Sequence, residues 1–162
     1  MFPSMPSNLE RMIRLAGSFF AAKNDPSQIS VTDEVMDRLH QLHPATMTEQ
    51  DDGSGPIAWM MVIPTTEALM KQFIAQKINE QELLDKTPLG GTYDSVYLCS
   101  ALVLPEYRGK GIAKRLLDES IKSIRTDHPI ASLFYWAFSA EGEKLAEHAS
   151  SESGLPLFKR SK

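Results

Sequence analysis

Three features of the sequence predict a single α/β domain. The first is an almost unbroken apolar run rich in β-formers, SVYLCSALVL at 95–104, followed by a turn, a helix-period segment and a second apolar run, PIASLFYWAF at 129–138. That succession is a β-turn-α-β unit, and continuous apolar runs of this kind belong to strands covered on both faces. The second is a hairpin pattern just ahead of it, and the third is an N-terminal quarter whose apolar residues recur at helical spacing.

Composition agrees with a folded chain. Of 162 residues, 42% are hydrophobic and 23% charged, ordinary values for a globular protein. A domain of this size buries roughly 70% of the surface that its unfolded chain exposes, so no metal or disulfide is needed to hold it. The formal net charge of -4 excludes a broad attraction to nucleic acid or to an anionic membrane, so any anion site must be local. A single cysteine, Cys99, rules out an intramolecular disulfide and fits a reducing, cytoplasmic compartment. Set in an apolar stretch, it reads as a buried thiol. The apolar portion from Leu15 to Ala22 is broken by Gly17 and Ser18 and falls short of the ~20 residues that span a bilayer.

Ser7 and Glu10 form a capping-box pattern that starts a helix at Asn8 and carries it to about Lys23, where NDPS stops it. Leu9, Met12, Ile13, Ala16 and Phe20 give this helix one apolar face. A second helix follows Thr32, with Val35, Leu39 and Leu42 on one side, Asp33 and Glu34 at its positive end, and Pro44 terminating it. The segment TMTEQDDGSGPIAWMMVIPT reads as two strands joined by the turn-rich DDGSG. Leu69, Phe73 and Ile74 then mark a helix, and Asn79 with Glu82 offers a second capping box. Beyond the central strand, Ile112, Leu116, Leu117, Ile121 and Ile124 mark a long helix. A last helix from Ala140 to about His148, a polar SSES and an edge strand within LPLFKR complete the chain.

Chemistry concentrates in VLPEYRGKGIAKRLL, residues 103–117. Pro105 leaves the sheet, and Arg108-Gly109-Lys110-Gly111 forms the turn before a helix that opens at Ile112 and Ala113. The glycines have no Cβ to block close approach. The unpaired N–H groups of the first helical turn and its macrodipole make a cradle for an anion, naturally a phosphate. Glycines also commonly end strands, and Lys110, Lys114 and Arg115 would equally suit a solvated helix face. The spacing is not that of a dinucleotide fingerprint, since Lys114 stands at the third glycine's place, nor that of a P-loop.

This stretch resembles the pyrophosphate loop of the GNAT superfamily of N-acetyltransferases, whose pattern is Gln or Arg, two residues, Gly, one residue, Gly or Ala. Arg108, Gly111 and Ala113 match it, and Pro105 with the apolar strand leading in is also typical. The likeness is strong from about Val96 to Ile124 and moderate for the hairpin and the last long strand. It implies a mixed, mostly antiparallel sheet that splays between two central strands, with helices on both faces. It also implies one domain over 1–162, with N-terminal helices in 8–43 and a helical insert at 65–86. The implied acyl donor is acetyl-CoA. Leu102, Val103 and Leu104 would offer main-chain partners to pantetheine, and Arg108, Gly109, Lys110, Gly111, Ile112 and Ala113 would hold the pyrophosphate. Ser139 stands where the family usually has an asparagine beside the cofactor. The implied reaction is direct attack of a primary amine, on a small molecule or peptide, upon the thioester. No metal, nucleic acid or membrane is involved, and a homodimer is compatible with the reading.

The pattern departs from the family near its end. Ala146 stands where a tyrosine commonly protonates the departing CoA thiolate, and alanine donates no proton. A thiolate of pKa near ~8.5 leaves tolerably without help, so transfer survives that loss. An amine acceptor of pKa ~10 arrives protonated and needs a base. Asp94, just before the central strand, and Glu49, on the hairpin, are the acids best placed by sequence, and Asp94 is the catalytic candidate. Tyr97, Tyr135 and Trp136 suit either the groove or the core. Cys99 as an acyl carrier lacks an evident histidine partner. A non-catalytic acyl-CoA-binding module that kept the loop is the alternative function, and nucleic-acid binding through RGKGIAKR a third.

Overall fold

The computed structural model describes residues 6–23, 32–136 and 139–161, the side chains of 19–23 excepted. The NDPS stop signal, the Phe20 side chain and the expected strand end at 137–138 lie outside the described residues. Helix α1 (Asn8–Lys23) begins where the Ser7 hydroxyl accepts the Glu10 N–H at 3.1 Å. Its buried face is turned from the expected one. Met12 is fully buried and Leu15 and Ala16 pack beside it, while Leu9 and Ile13 are 49% and 57% exposed. The helix rests on a small end-cluster of Ile57, Leu102 and Leu104, so only a narrow stripe is covered. Helix α2 (Asp33–Leu42) is capped by Thr32 and buries Val35, Leu39 and Leu42, as its spacing predicts.

Strands β1 (Met47–Asp51) and β2 (Pro56–Thr65) form the hairpin, and the Asp51 and Asp52 carboxylates accept the N–H groups of Gly53 and Ser54 in its turn. Helices α3 (Glu67–Ile74) and α4 (Glu80–Lys86) form the insert. The second begins with the predicted capping box: the Glu82 N–H donates to Asn79 Oδ1 at 2.8 Å, and the Asn79 N–H to Glu82 Oε1 at 3.2 Å. After β3 (Ser95–Val103) come α5 (Ile112–Asp127), β4 (Ser132–Trp136), α6 (Ala140–Ser153) and β5 (Leu157–Arg160). The last helix takes in the SSES expected to be a loop. Gly154 ends it in the left-handed region at φ +73°, and the Ser153 hydroxyl bonds back to the Ala149 carbonyl at 2.7 Å, which suits these serines to a last turn.

The five strands form one mixed sheet in the order β1-β2-β3-β4-β5. The first two pairings are antiparallel and long, the last two parallel and short. Strand alternation sorts the side chains onto two faces. Helices α1, α3 and α4 cover the face that carries Trp59, Tyr97, Phe134 and Trp136, and α2, α5 and α6 cover the other. Helices therefore lie on both faces, as the fold class requires. The core is one cluster centred on β2, β3 and β4, with Phe73, Tyr97, Phe134 and Leu133 at or below 1% exposure.

Candidate active site

The site begins with an irregularity in the central strand. Ser95 to Leu98 of β3 pair in parallel with Ser132 to Tyr135 of β4, and there the ladder stops, although β4 continues to pair with β5 through Trp136. Among the described residues, Ser100 to Val103 pair only with β2. Among the described residues the two central strands stay paired no further than Leu98 and Tyr135. Exposure follows: β3 is buried from Ser95 to Tyr97 but half-buried from Leu98 to Ala101, which corrects the reading of this run as covered throughout. A register shift marks the same place. Met61 pairs with Ser100 and Val62 with Leu98, so Cys99 is the extra residue of a β-bulge. Bulges bend a strand and increase its twist, which moves the second half of β3 off the line of β4. Cys99 is consequently half-exposed rather than buried.

The open edge ends in the turn. Pro105–Tyr107 forms a 3-10 turn, the Arg108 N–H bonds to the Pro105 carbonyl at 3.3 Å, and the next internal main-chain bond is from Arg115 to Gly111 at 3.0 Å. Among the described residues the N–H groups of Gly109, Lys110, Gly111, Ile112, Ala113 and Lys114 make no main-chain bond. Gly109 and Gly111 lie at φ +77° and +78°, with nothing within 4 Å of where a Cβ would stand. The turn thus needs glycine for its backbone conformation, and the space beside it is open. Six adjacent unbonded amides at the N-terminus of a sixteen-residue helix form an anion cradle. Arg108 itself folds back: its Nε donates to the Val103 carbonyl at 3.0 Å and closes off the end of β3.

This turn is clamped from below. Arg11 of α1 holds Glu106 through two bonds of 2.6 and 2.8 Å, and the Tyr107 hydroxyl donates to Asp52 of the hairpin turn at 2.5 Å. Asn8 adds a bond to Asp52 at 2.9 Å. The Arg11 bonds hold the Glu106 carboxyl below its ordinary pKa, and the Tyr107 bond does the same for Asp52 while raising its own. Lys110 Nζ sits 5.5 Å from the Tyr107 ring centre. Helix α1 and the hairpin are thereby fastened to the loop, a connection that no local pattern in the sequence announces.

Not every residue singled out by sequence gathers here. Leu102 and Val103 lie on the open edge. Leu104 does not offer a free donor, since its N–H is taken by the Ile57 carbonyl at 2.9 Å, and its side chain is buried at 1% exposure. Ser139 is the N-cap of α6 and accepts the Gly142 N–H at 3.0 Å. Asp94 stands at the opposite end of β3. Its carboxylate accepts the Glu67 N–H at 2.7 Å at the start of α3, and its carbonyl accepts Ala131 and Ser132. It ties loops together at the closed end of the strand pair, five residues before the bulge. Glu49 is exposed on β1 and accepts the Trp59 indole N–H at 3.0 Å. His148 bonds across to Asp118 of α5 at 3.2 Å, a tie between two helices. Ala146 is buried at 2%. Tyr135 turns to the α6 side, where burial and then Glu143 raise its pKa. Lys114 is exposed beside Gly111 on an open groove of about 440 Å³ between α5 and α6.

One acid at the parting was missed. Glu80 of α4 is 1% exposed and accepts a short hydrogen bond from the Tyr97 hydroxyl, and the Cys99 thiol lies 3.8 Å from the same carboxylate oxygen. A first-turn glutamate after an N-cap reads as a solvated partner of the helix dipole. The available signal was spacing: Glu80 precedes the buried Leu83 and Leu84 by three and four residues and so shares their face.

The profile of the acetyltransferase (GNAT) family matches residues 12–144, which include the hairpin, the split strand pair and the loop. The chain belongs to that family, whose members transfer acyl groups and generally use acetyl-CoA. Comparison with curated proteins and with solved structures returns no match in either case. Among the described residues no helix is long and apolar enough to cross a membrane.

Proposed function

We propose that this protein is an acetyl-CoA-dependent N-acyltransferase in which an amine attacks the bound thioester directly. The observation that carries the proposal is the conjunction of a β3/β4 ladder that ends, among the described residues, at Leu98 with six unbonded amides at the end of the open edge. An extended pantetheine arm has main-chain partners along Cys99 to Val103, as an added strand would. Its pyrophosphate meets the amides of Gly109 to Ala113, where the helix dipole favours negative charge. A main-chain N–H on the bulged edge is suited to donate to the thioester oxygen as it gains charge, an effect worth ~3 kcal/mol in other acyl-transfer enzymes. A half-exposed thiol that stays reduced suits a cytoplasmic setting.

The acceptor reaches the carbonyl from the face covered by α3 and α4, since α5 and the loop hold the donor from the other side. A primary amine of a small molecule or peptide fits a site with a carboxylate nearby. One observation favours a second reading, a binding module without turnover: the buried Ala146 supplies no acid for the leaving thiolate. Two measurements on purified protein decide between them. Calorimetry with CoA should register binding, and thiol release from acetyl-CoA should rise when polyamines, amino acids or peptides are added. Binding with no release on any acceptor selects the module, and a folded protein giving no heat with CoA removes both readings.

A further inference from the structure

Burying a carboxylate is costly, and Asp and Glu are almost never fully buried without partners. Glu80 is nonetheless turned inward at 1% exposure. Its position is not explained by the helix it starts, because Asn79 and Glu82 already complete the cap. Nor is it explained by stability, since buried ionic groups can often be replaced by apolar ones at no loss. What distinguishes its surroundings is the strand parting. Tyr97, whose hydroxyl it holds, belongs to the last paired stretch of β3, and Cys99 is the bulge residue where the pairing ends. Cys99 is half-exposed, so the carboxylate lies one side chain behind the surface of the split.

Among the described residues, the charged and titratable groups near it include the following. From β3 come Tyr97 and Cys99. From β5 comes Arg160, whose guanidinium lies 4.5 Å from the ring centres of both Phe73 and Trp136 and whose Nη1 donates to the Ile78 carbonyl at 2.7 Å. Arg160 Nε is buried and makes no hydrogen bond among the described residues. Helix α3 presents Phe73 and Met70, both apolar. Burial first, and the neighbouring Glu80 charge second, raise the Tyr97 pKa well above its usual value, so its hydroxyl stays protonated and keeps donating.

We propose that Glu80 is the general base of the reaction, taking the proton that the acceptor ammonium must lose, with Cys99 as the side chain past which the acceptor or one linking water reaches it. The inference rests on the acyl-transfer reading above. The ammonium gives one proton to the Glu80 carboxylate, the freed nitrogen lone pair forms the C–N bond, and the C–S bond breaks. The thiolate takes the second nitrogen proton, and Glu80 later releases its own to solvent. This assigns to the insert the role that the sequence reading gave to Asp94, which sits at the closed end of the strand.

The test compares wild type, Glu80→Gln and Tyr97→Phe in acetyl-CoA binding, thermal unfolding and the pH profile of kcat with an amine acceptor. Glutamine keeps an oxygen for Tyr97 but cannot take a proton at neutral pH. Glu80→Gln should bind acetyl-CoA as wild type does, lose ~10²–10⁴ in kcat, and lose the acid limb of the profile. Tyr97→Phe removes the hydroxyl that holds the carboxylate in place, so kcat should fall while the acid limb remains. A Glu80→Gln protein with wild-type kcat, or with reduced kcat and an unchanged limb, overturns the assignment while acyl transfer stands. Should Glu80→Gln fail to fold, a Tyr97→Phe protein with wild-type kcat overturns it. Wild-type protein that transfers to no amine removes the acyl-transfer reading, and this base with it.

Discussion

The two halves of β3 have the same apolar character in sequence and opposite fates in the structure. Ser95 to Leu98 lie between β2 and β4 with ladders on both sides, and Tyr97 packs against Phe73 and Phe134 with ring centres 4.8 and 5.1 Å apart. Ser100 to Val103 keep only the β2 ladder among the described residues, end against a turn of unbonded amides, and are half-buried except for the buried Leu102. The closed half is held by packing, and the open half is held in shape by a bulge and by the clamp from α1 and the hairpin. An exposed sheet edge is ordinarily a liability for a protein.

The largest expected effect comes from breaking the closed half. Phe134→Ala removes a fully buried ring and should cost about 3–5 kcal/mol, read as a lower urea midpoint with an unchanged slope. If the two halves are as distinct as described, the variant's remaining folded fraction still binds CoA. A variant that is stable yet unable to bind would show that the halves are not separable. In the open half, replacing Gly109 and Gly111 together by valine should leave the core cluster intact and abolish detectable CoA binding by calorimetry. Each residue forced to positive φ costs about 1–2 kcal/mol. Unchanged affinity would mean that the amides are not the anchor.

The smallest effect concerns the clamp. The folded-state pKa values of Glu106 and Asp52 are depressed below their ordinary 4.5 and 3.8, by Arg11 and Tyr107 respectively. Groups so shifted stabilise the fold above their ordinary values, and that stability is lost as pH falls through the depressed ones. Both are exposed, so the effect on melting temperature is slight and weakens with salt. Wild type should melt marginally above Glu106→Gln at neutral pH, and the gap should close below about pH 4. A gap independent of pH would assign the difference to something other than the ion pair.

Much of this architecture was legible in advance because it depends on local periodicity and turn chemistry. The Asn79–Glu82 capping box, the hairpin about DDGSG, the buried stripe of α2 and the β-turn-α-β unit all formed where spacing put them. The glycine turn was legible for the same reason, since positive φ at two positions and a helix start are local properties. Where expectation failed, partners distant in sequence made the difference. Asp94 looked available because nothing near it in sequence reveals that Glu67 and the 131–132 loop use it. Cys99 looked buried because β3 reads as one continuous core strand. The buried face of α1 shifted because its footprint is a small cluster formed by residues 57, 102 and 104. The extension of α6 through four polar residues followed from a glycine cap that loop-like composition obscured.

By itself the sequence determined the elements, the left-handed glycine turn and its fit to the GNAT pattern, because these rest on backbone sterics and on hydrogen bonds between near neighbours. Only the tertiary structure decided where β3 and β4 separate and which carboxylate stands behind that separation. A strand's second ladder and a side chain's neighbours across a sheet face are set by packing over dozens of intervening residues, and no local pattern carries that information.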